Sequence, residues 1–282
     1  MALRGKKRGN TVLERLAKSL DAVARTATPK NVHFFRTCCR RMEAYAELRK
    51  GEGARALRKL TQRLDKPRRL AGRVRDLDVQ LDIVRDLHFD GDHESRRRLG
   101  VDLQEARARA ARRLNKALDA KTVASLERRL RKAERAEASA AKSDVDYRKR
   151  AWSEAVALLA ALPEDFPSVE PKNLHRLRLA GKNIRYTAEQ AFPDPEARRF
   201  ADAMIELQDA IGRWHDWLML RKRARGLTPE EGTLQRILRS HERASLADAL
   251  RRGRQVVRPH ASAGDKKPSA QVQPPAEAAT AS

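Results

Sequence analysis

Aromatic side chains are scarce in this chain of 282 residues, at 4 %, and only two cysteines occur. Few aromatics leave little material for the stacking platforms on which readers of single-stranded nucleic acid depend. Cys38 and Cys39 are adjacent in sequence. On a helix such neighbours point about 100° apart and do not bridge, so no disulfide framework is expected and a reducing compartment is. Long alternating runs of Val, Ile and Thr are missing, which argues against a sheet. No stretch approaches the roughly 18 apolar residues of a membrane-spanning helix. The start, Met1 to Asn10, is basic without an apolar run, so no secretory leader is expected and the protein reads as cytoplasmic. Negative charge is also in short supply: 38 Asp and Glu stand against 62 Lys and Arg, a net +24.

The abundant residues, Ala, Leu, Arg and Glu, favour helix throughout. A net charge of +24 draws polyanions from a distance. Nucleic acid, an anionic membrane surface and inorganic polyphosphate are the candidate partners. The plainer alternative is a basic surface that only keeps the chain in solution.

Periodicity divides the chain into elements. Residues 1–10 read as a flexible basic arm, and residues 11–253 as the folded part. Apolar Val12, Leu13, Leu16, Leu20 and Val23 predict a helix over 11–25. Thr28-Pro29 resets the chain, with Asn31 a candidate cap for the next helix. Gly51 and Gly53 end that helix, Pro67 interrupts or kinks the following one, and a helix over 68–87 comes after it. Asp90-Gly91-Asp92 signals a turn. Charged helices over 94–118 and 123–137 follow, the second read as an exposed arm. A helix over 144–162 precedes Pro163–Pro171, the expected divider between helical halves 11–162 and 172–253. The second half holds helices over 172–191, 196–225 and 230–252, and the tail, 254–282, reads as disordered.

One two-part pattern occurs twice. His33, Arg36 and Arg40 align with His175, Arg178 and Lys182 at an offset of 142. Gly72-Arg73-Val74-Arg75-Asp76 aligns with Gly212-Arg213-Trp214-His215-Asp216 at an offset of 140. Two coincident elements indicate a duplicated helical unit. At 100° per residue, His33, Arg36 and Arg40 fall at about 0°, 300° and 340°; His175, Arg178, Lys182 and Arg185 fall at about 0°, 300°, 340° and 280°. Val32, Phe35, Cys39, Met42 and Ala46 occupy the neighbouring arc, as do Leu174, Leu177, Gly181, Ile184 and Ala188. A cationic stripe beside a core stripe is held on a rigid surface, as preorganised anion binding requires. Arg supplies a planar fork of donors for phosphate oxygens, Lys a point charge, and His a donor that can be protonated. The other role open to the histidines is that of hydrogen-bonded core residues. Asp76 and Asp216 read as carboxylates that orient an Arg or His, Gly72 and Gly212 as points of close helix approach, and Trp214 and Trp217 as core.

These residues resemble the signatures of the CHAD family. V-H-x-x-R-V-x-x-R-R is matched by Val32, His33, Arg36, Arg40 and Arg41, and G-x-x-R-D-x-D-V by Gly72, Arg75, Asp76, Asp78 and Val79. L-H-x-L-R-x-x-x-K-x-x-R-Y is matched by Leu174, His175, Leu177, Arg178, Lys182, Arg185 and Tyr186. L-Q-D-x-x-G-x-x-x-D is matched by Leu207, Gln208, Asp209, Gly212 and Asp216, so the resemblance runs from about residue 11 to 252. It implies an all-α fold: two pseudo-twofold-related four-helix-type bundles forming one CHAD domain, with a basic surface and a central cavity. It further implies non-catalytic binding of inorganic polyphosphate, association with polyphosphate granules, and no cofactor. The implied contacts are His33, Arg36, Arg40, Arg41, Arg75, His175, Arg178, Lys182 and Arg185. The E-x-E-x-K signature of the triphosphate-tunnel (CYTH) domain found fused to some members is missing, which implies a stand-alone module. Thr37 stands where the family has an aliphatic residue and Asn183 where a second basic residue is common, a change expected to weaken one anion contact. The charged 120–140 stretch has no counterpart in these motifs.

Two other functions compete. Nucleic acid offers similar electrostatics and is the natural competitor ligand, although the chain has few aromatics to stack on its bases. A phosphohydrolase needs metal-binding carboxylates or an activated nucleophile. Asp76, Asp78 and Asp82 share a helix, but Arg73, Arg75 and Arg85 beside them repel a divalent cation.

Overall fold

The computed structural model describes residues 12–49, 51–88, 91–140, 144–192 and 194–261. The α-helices are α1 (Val12–Arg25), α2 (Pro29–Leu48), α3 (Gly51–Asp86), α4 (His93–Ala117), α5 (Ala120–Ala140), α6 (Asp144–Ala160), α7 (Leu162–Asp165), α8 (Leu174–Ala188), α9 (Pro195–Ala224) and α10 (Thr233–Ala261). Among the described residues there is no strand, and no helix is long and apolar enough to cross a membrane. The basic arm, residues 1–10, lies outside the described residues, as does 262–282.

Local chemistry sets several helix starts. Thr28, not Asn31, caps α2: its hydroxyl accepts from the Asn31 amide at 3.2 Å, with Pro29 in the first turn, where a missing N–H costs nothing. The Asn31 side chain instead donates to the carbonyls of Ala22 (3.1 Å) and Thr26 (3.0 Å), strapping the end of α1 to the start of α2. Asp194 caps α9, accepting from Glu196 and Ala197 at 2.8 and 3.1 Å. Gly91 and Asp92, both at positive φ (79° and 51°), make the turn into α4.

Pro67 does not end its helix. α3 runs unbroken for 36 residues through it. The ring removes one backbone hydrogen bond, at about 3 kcal/mol in a helix interior. Against that stand the fully buried Leu57, Leu60, Ala71 and Val74, with Leu64 nearly so, on one face of α3. Each buried leucine contributes about 1.5–3 kcal/mol, so packing outweighs the break.

The first core joins α1, α2, α3, α5 and the end of α4. α5 is no free arm: Leu126, Leu130 and Ala133 bury one face in that core. A second core joins the end of α6 with α7, α8, α9 and α10. Ala151 and Ala155 of α6 pack against Ala188, Ala191, Ala197 and Ala201, where small side chains let the helices approach closely. α6 therefore sits with the second half, and the cores divide ahead of it instead of at Pro163–Pro171. A third cluster knits the halves together, with Val84 and Leu87 from α3 and its end, Leu99 and Leu103 from α4, and Leu220, Leu234 and Leu238 from α9 and α10. α10 continues to Ala261 with Val257 buried, so residues 254–261, read from sequence as tail, are helical.

Candidate anion-binding site

The apolar arcs anticipated for the two motif helices are the arcs that pack. Val32, Phe35, Cys39, Met42 and Ala46 of α2 are buried, as are Leu174, Leu177, Gly181, Ile184 and Ala188 of α8. Burying those faces aims the adjoining cations into one cleft of about 990 Å³ between α2, α3, α8 and α9. Its walls include His33, Arg36, Arg41, Arg75, Arg178, Lys182 and Arg185.

The duplication extends to side-chain placement. Arg36 lies over Gly72 of α3, where a Cβ would sit 3.4 Å from its Nε. Arg178 lies over Gly212 of α9, where a Cβ would sit 3.7 Å from its Nη2. Each glycine has an arginine side chain over it, where the sequence had suggested the close approach of a helix. Gln208 fixes the second pair of helices, donating to the Gly181 carbonyl at 2.8 Å while Leu207 packs beneath Gly181.

The nine anticipated contacts do not share one state. Arg41 and Arg185 both meet Glu189, at 2.7 and 3.3 Å. Arg40 turns away to Glu43 at 3.0 Å, which Arg68 also meets at 2.6 Å, and is not among the lining residues. His175 is likewise outside the cleft, its ring 6.0 Å from that of His215. Arg36, Arg75, Arg178 and Lys182 line the cleft with no ion pair among the described residues, and Arg178 Nε is buried without a hydrogen-bond partner. Four carboxylates also line it (Asp76, Glu189, Asp209 and Asp216) against eight Lys and Arg side chains, so the cleft stays positive.

Crowding of like charge perturbs the titrations. Burial, followed by the charges of Arg178, Arg36 and Arg40, pulls Lys182 down to about 7, with Asp76 opposing. Arg36 is lowered chiefly by burial, and also by Arg40 and Arg178. His33 is lowered by partial burial and then by Arg75, Arg36 and Arg185; His175 by partial burial and then by His215. Desolvated cations that outnumber the carboxylates beside them raise the free energy of the empty cleft, and an anion relieves it.

A family model described as CHAD domain matches residues 10–225. The chain belongs to the CHAD family. The crystal structure of the CHAD domain from the plant Ricinus communis is similar to it in fold, with a TM-score of 0.62 at 18 % identity over 89 % of this chain and 88 % of that one. No curated protein matches the chain.

Within this CHAD domain several cleft residues escaped sequence reasoning. Glu189 stands four residues after Arg185, a helical pair that was readable; its contact with Arg41, 148 residues away, was not. Lys30 and Arg213 also line the cleft, the latter meeting Asp248 at 3.0 Å. Asn183 faces a separate groove with Glu47 and Glu154, so it costs the cleft no anion contact. Asp76 does lie beside Arg36 and Lys182, whereas Asp216 approaches His215 at 3.6 Å. Trp214 is buried as expected, but Trp217 is only partly so. Cys38 and Cys39 are free, buried thiols.

Proposed function

We propose that this protein binds inorganic polyphosphate without cleaving it, and that polyphosphate granules are where it acts. The observation that carries this reading is the convergence of four ion-pair-free cations, Arg36, Arg75, Arg178 and Lys182, drawn from both motif copies, on one cleft. Guanidinium forks match phosphate oxygens in pairs. A long polymer engages both halves at high effective concentration, so it should bind far better than short chains at matched phosphate. Counterion release makes that binding fall steeply with salt. Binding without hydrolysis is supported by the cations beside the α3 carboxylates: Asp78 is held by Arg107 at 2.9 Å, Asp82 meets Arg85 through one oxygen at 3.0 Å, and Asp76 lies beside Arg36 and Lys182. The test is a titration with long-chain polyphosphate against RNA of matched charge. Polyphosphate should bind more tightly; RNA that displaces it at low concentration would transfer the proposal to nucleic acid. Phosphate release with Mg²⁺ would overturn the non-catalytic part.

A further inference from the structure

A groove of about 490 Å³ opens beside the cleft where α3, α9 and α10 meet. Arg75 and Val79 line both spaces, so the two adjoin along α3. Its character differs sharply from the cleft's. Trp217 and His241 stack in it with ring centroids 4.3 Å apart and planes 7° from parallel, next to apolar Ile83 and Leu87. Asp82, Asp86 and His88 complete the wall, and Asp86 pairs with Arg85 at 2.8 Å. Asp82 meets Arg85 through Oδ1 at 3.0 Å, which leaves Oδ2 open to accept hydrogen bonds.

A phosphate chain leaving the cleft past Arg75 would meet two carboxylates that share one cation, Arg85, and their remaining negative charge opposes its entry. An uncharged aromatic group with hydroxyls meets none of that penalty. A base gains a flat aromatic wall, worth about a five- to hundredfold change in affinity where such stacking has been removed by alanine substitution. Ribose hydroxyls find an acceptor in Asp82, the pairing a carboxylate makes with ribose in dinucleotide sites. The volume falls in the range of about 300–1,000 Å³ usual for small-molecule pockets. We propose that cleft and groove together bind a nucleoside polyphosphate, its phosphates between Arg75, Arg36 and Arg178 and its base beside Trp217 and His241. This rests on the cleft being a phosphate site.

Calorimetric titration of the full chain with ATP and with tripolyphosphate, in metal-free buffer at one salt concentration, tests it. The two ligands carry similar phosphate chains and differ by the nucleoside. ATP should bind about tenfold more tightly, and Trp217→Leu or His241→Ala should erase that advantage while leaving tripolyphosphate affinity unchanged. His241 is exposed, so its variant reports even where the Trp217 variant fails to fold. Tripolyphosphate binding as tightly as ATP would overturn this inference alone. An ATP advantage that survives in both folded variants would do the same. If neither ligand bound, and long-chain polyphosphate did not either, the phosphate reading of the cleft would fall with it.

Discussion

Replacing Lys182 by arginine should flatten the dependence of polyphosphate affinity on pH. In the empty cleft the Lys182 amine titrates near 7, held there by burial and by Arg178, Arg36 and Arg40. A bound phosphate supplies the missing counter-charge and returns it toward the ordinary lysine value of 10.5. Binding therefore takes up about half a proton at pH 7 and nearly a whole one at pH 9. Well below pH 7 the amine is protonated with or without ligand, and its pH-dependent contribution fades. Above pH 7 the ligand must first recharge it, and each proton taken up costs up to about 1.36 kcal/mol per pH unit. Between pH 7 and 9 the loss comes to about fiftyfold, or about 2.3 kcal/mol. Arginine stays charged throughout, so Lys182→Arg removes this component. A long polymer is the right probe, because its internal phosphates keep their charge across the interval. His33, which lines the cleft and is lowered in the free protein, adds a separate decline that the variant retains. The measurement is affinity by fluorescence anisotropy at pH 6, 7, 8 and 9 for both proteins. Equal slopes above pH 7 in the two proteins would refute the reasoning.

Other outcomes follow from the same contacts. The double variant Arg36→Ala with Arg178→Ala should lose about 3–6 kcal/mol of polyphosphate binding, two charge-assisted hydrogen-bonding groups' worth. Its Tm should hold or rise, because the cleft loses desolvated cations; a lower Tm with intact binding would place the site elsewhere. Gly72→Ala should be tolerated and add up to about 1 kcal/mol of stability, whereas Gly72→Val, crowding an arginine whose Nε would lie 3.4 Å from the new Cβ, should weaken binding with unchanged circular dichroism. Arg107→Ala strands Asp78, whose side chain is 3 % exposed, and breaks the bond to the Ala27 carbonyl. A loss of about 3 kcal/mol in urea denaturation is expected, and a loss below about 1 kcal/mol would mean that this ion pair matters little.

What the sequence determined is what repeats locally. Period and composition specified helices, and the buried arcs of α2 and α8 are those that 100° per residue assigns, because a helix carries its faces wherever it goes. The pairing of the two motif copies was legible for the same reason: Arg36 with Gly72 and Arg178 with Gly212 keep nearly constant offsets. Three things were decided only in three dimensions. α3 passes through Pro67 because its leucines are packed on neighbouring helices, a gain invisible at the proline itself. Arg41 reaches Glu189, and Arg68 joins Arg40 at Glu43, through contacts that depend on how α2 meets α8 and α3, whereas Arg185–Glu189 and Arg40–Glu43 are local helical pairs. Lys182 owes its titration near 7 first to burial and then to arginines from two helices, and neither the water removed nor the distance through space is written along the chain.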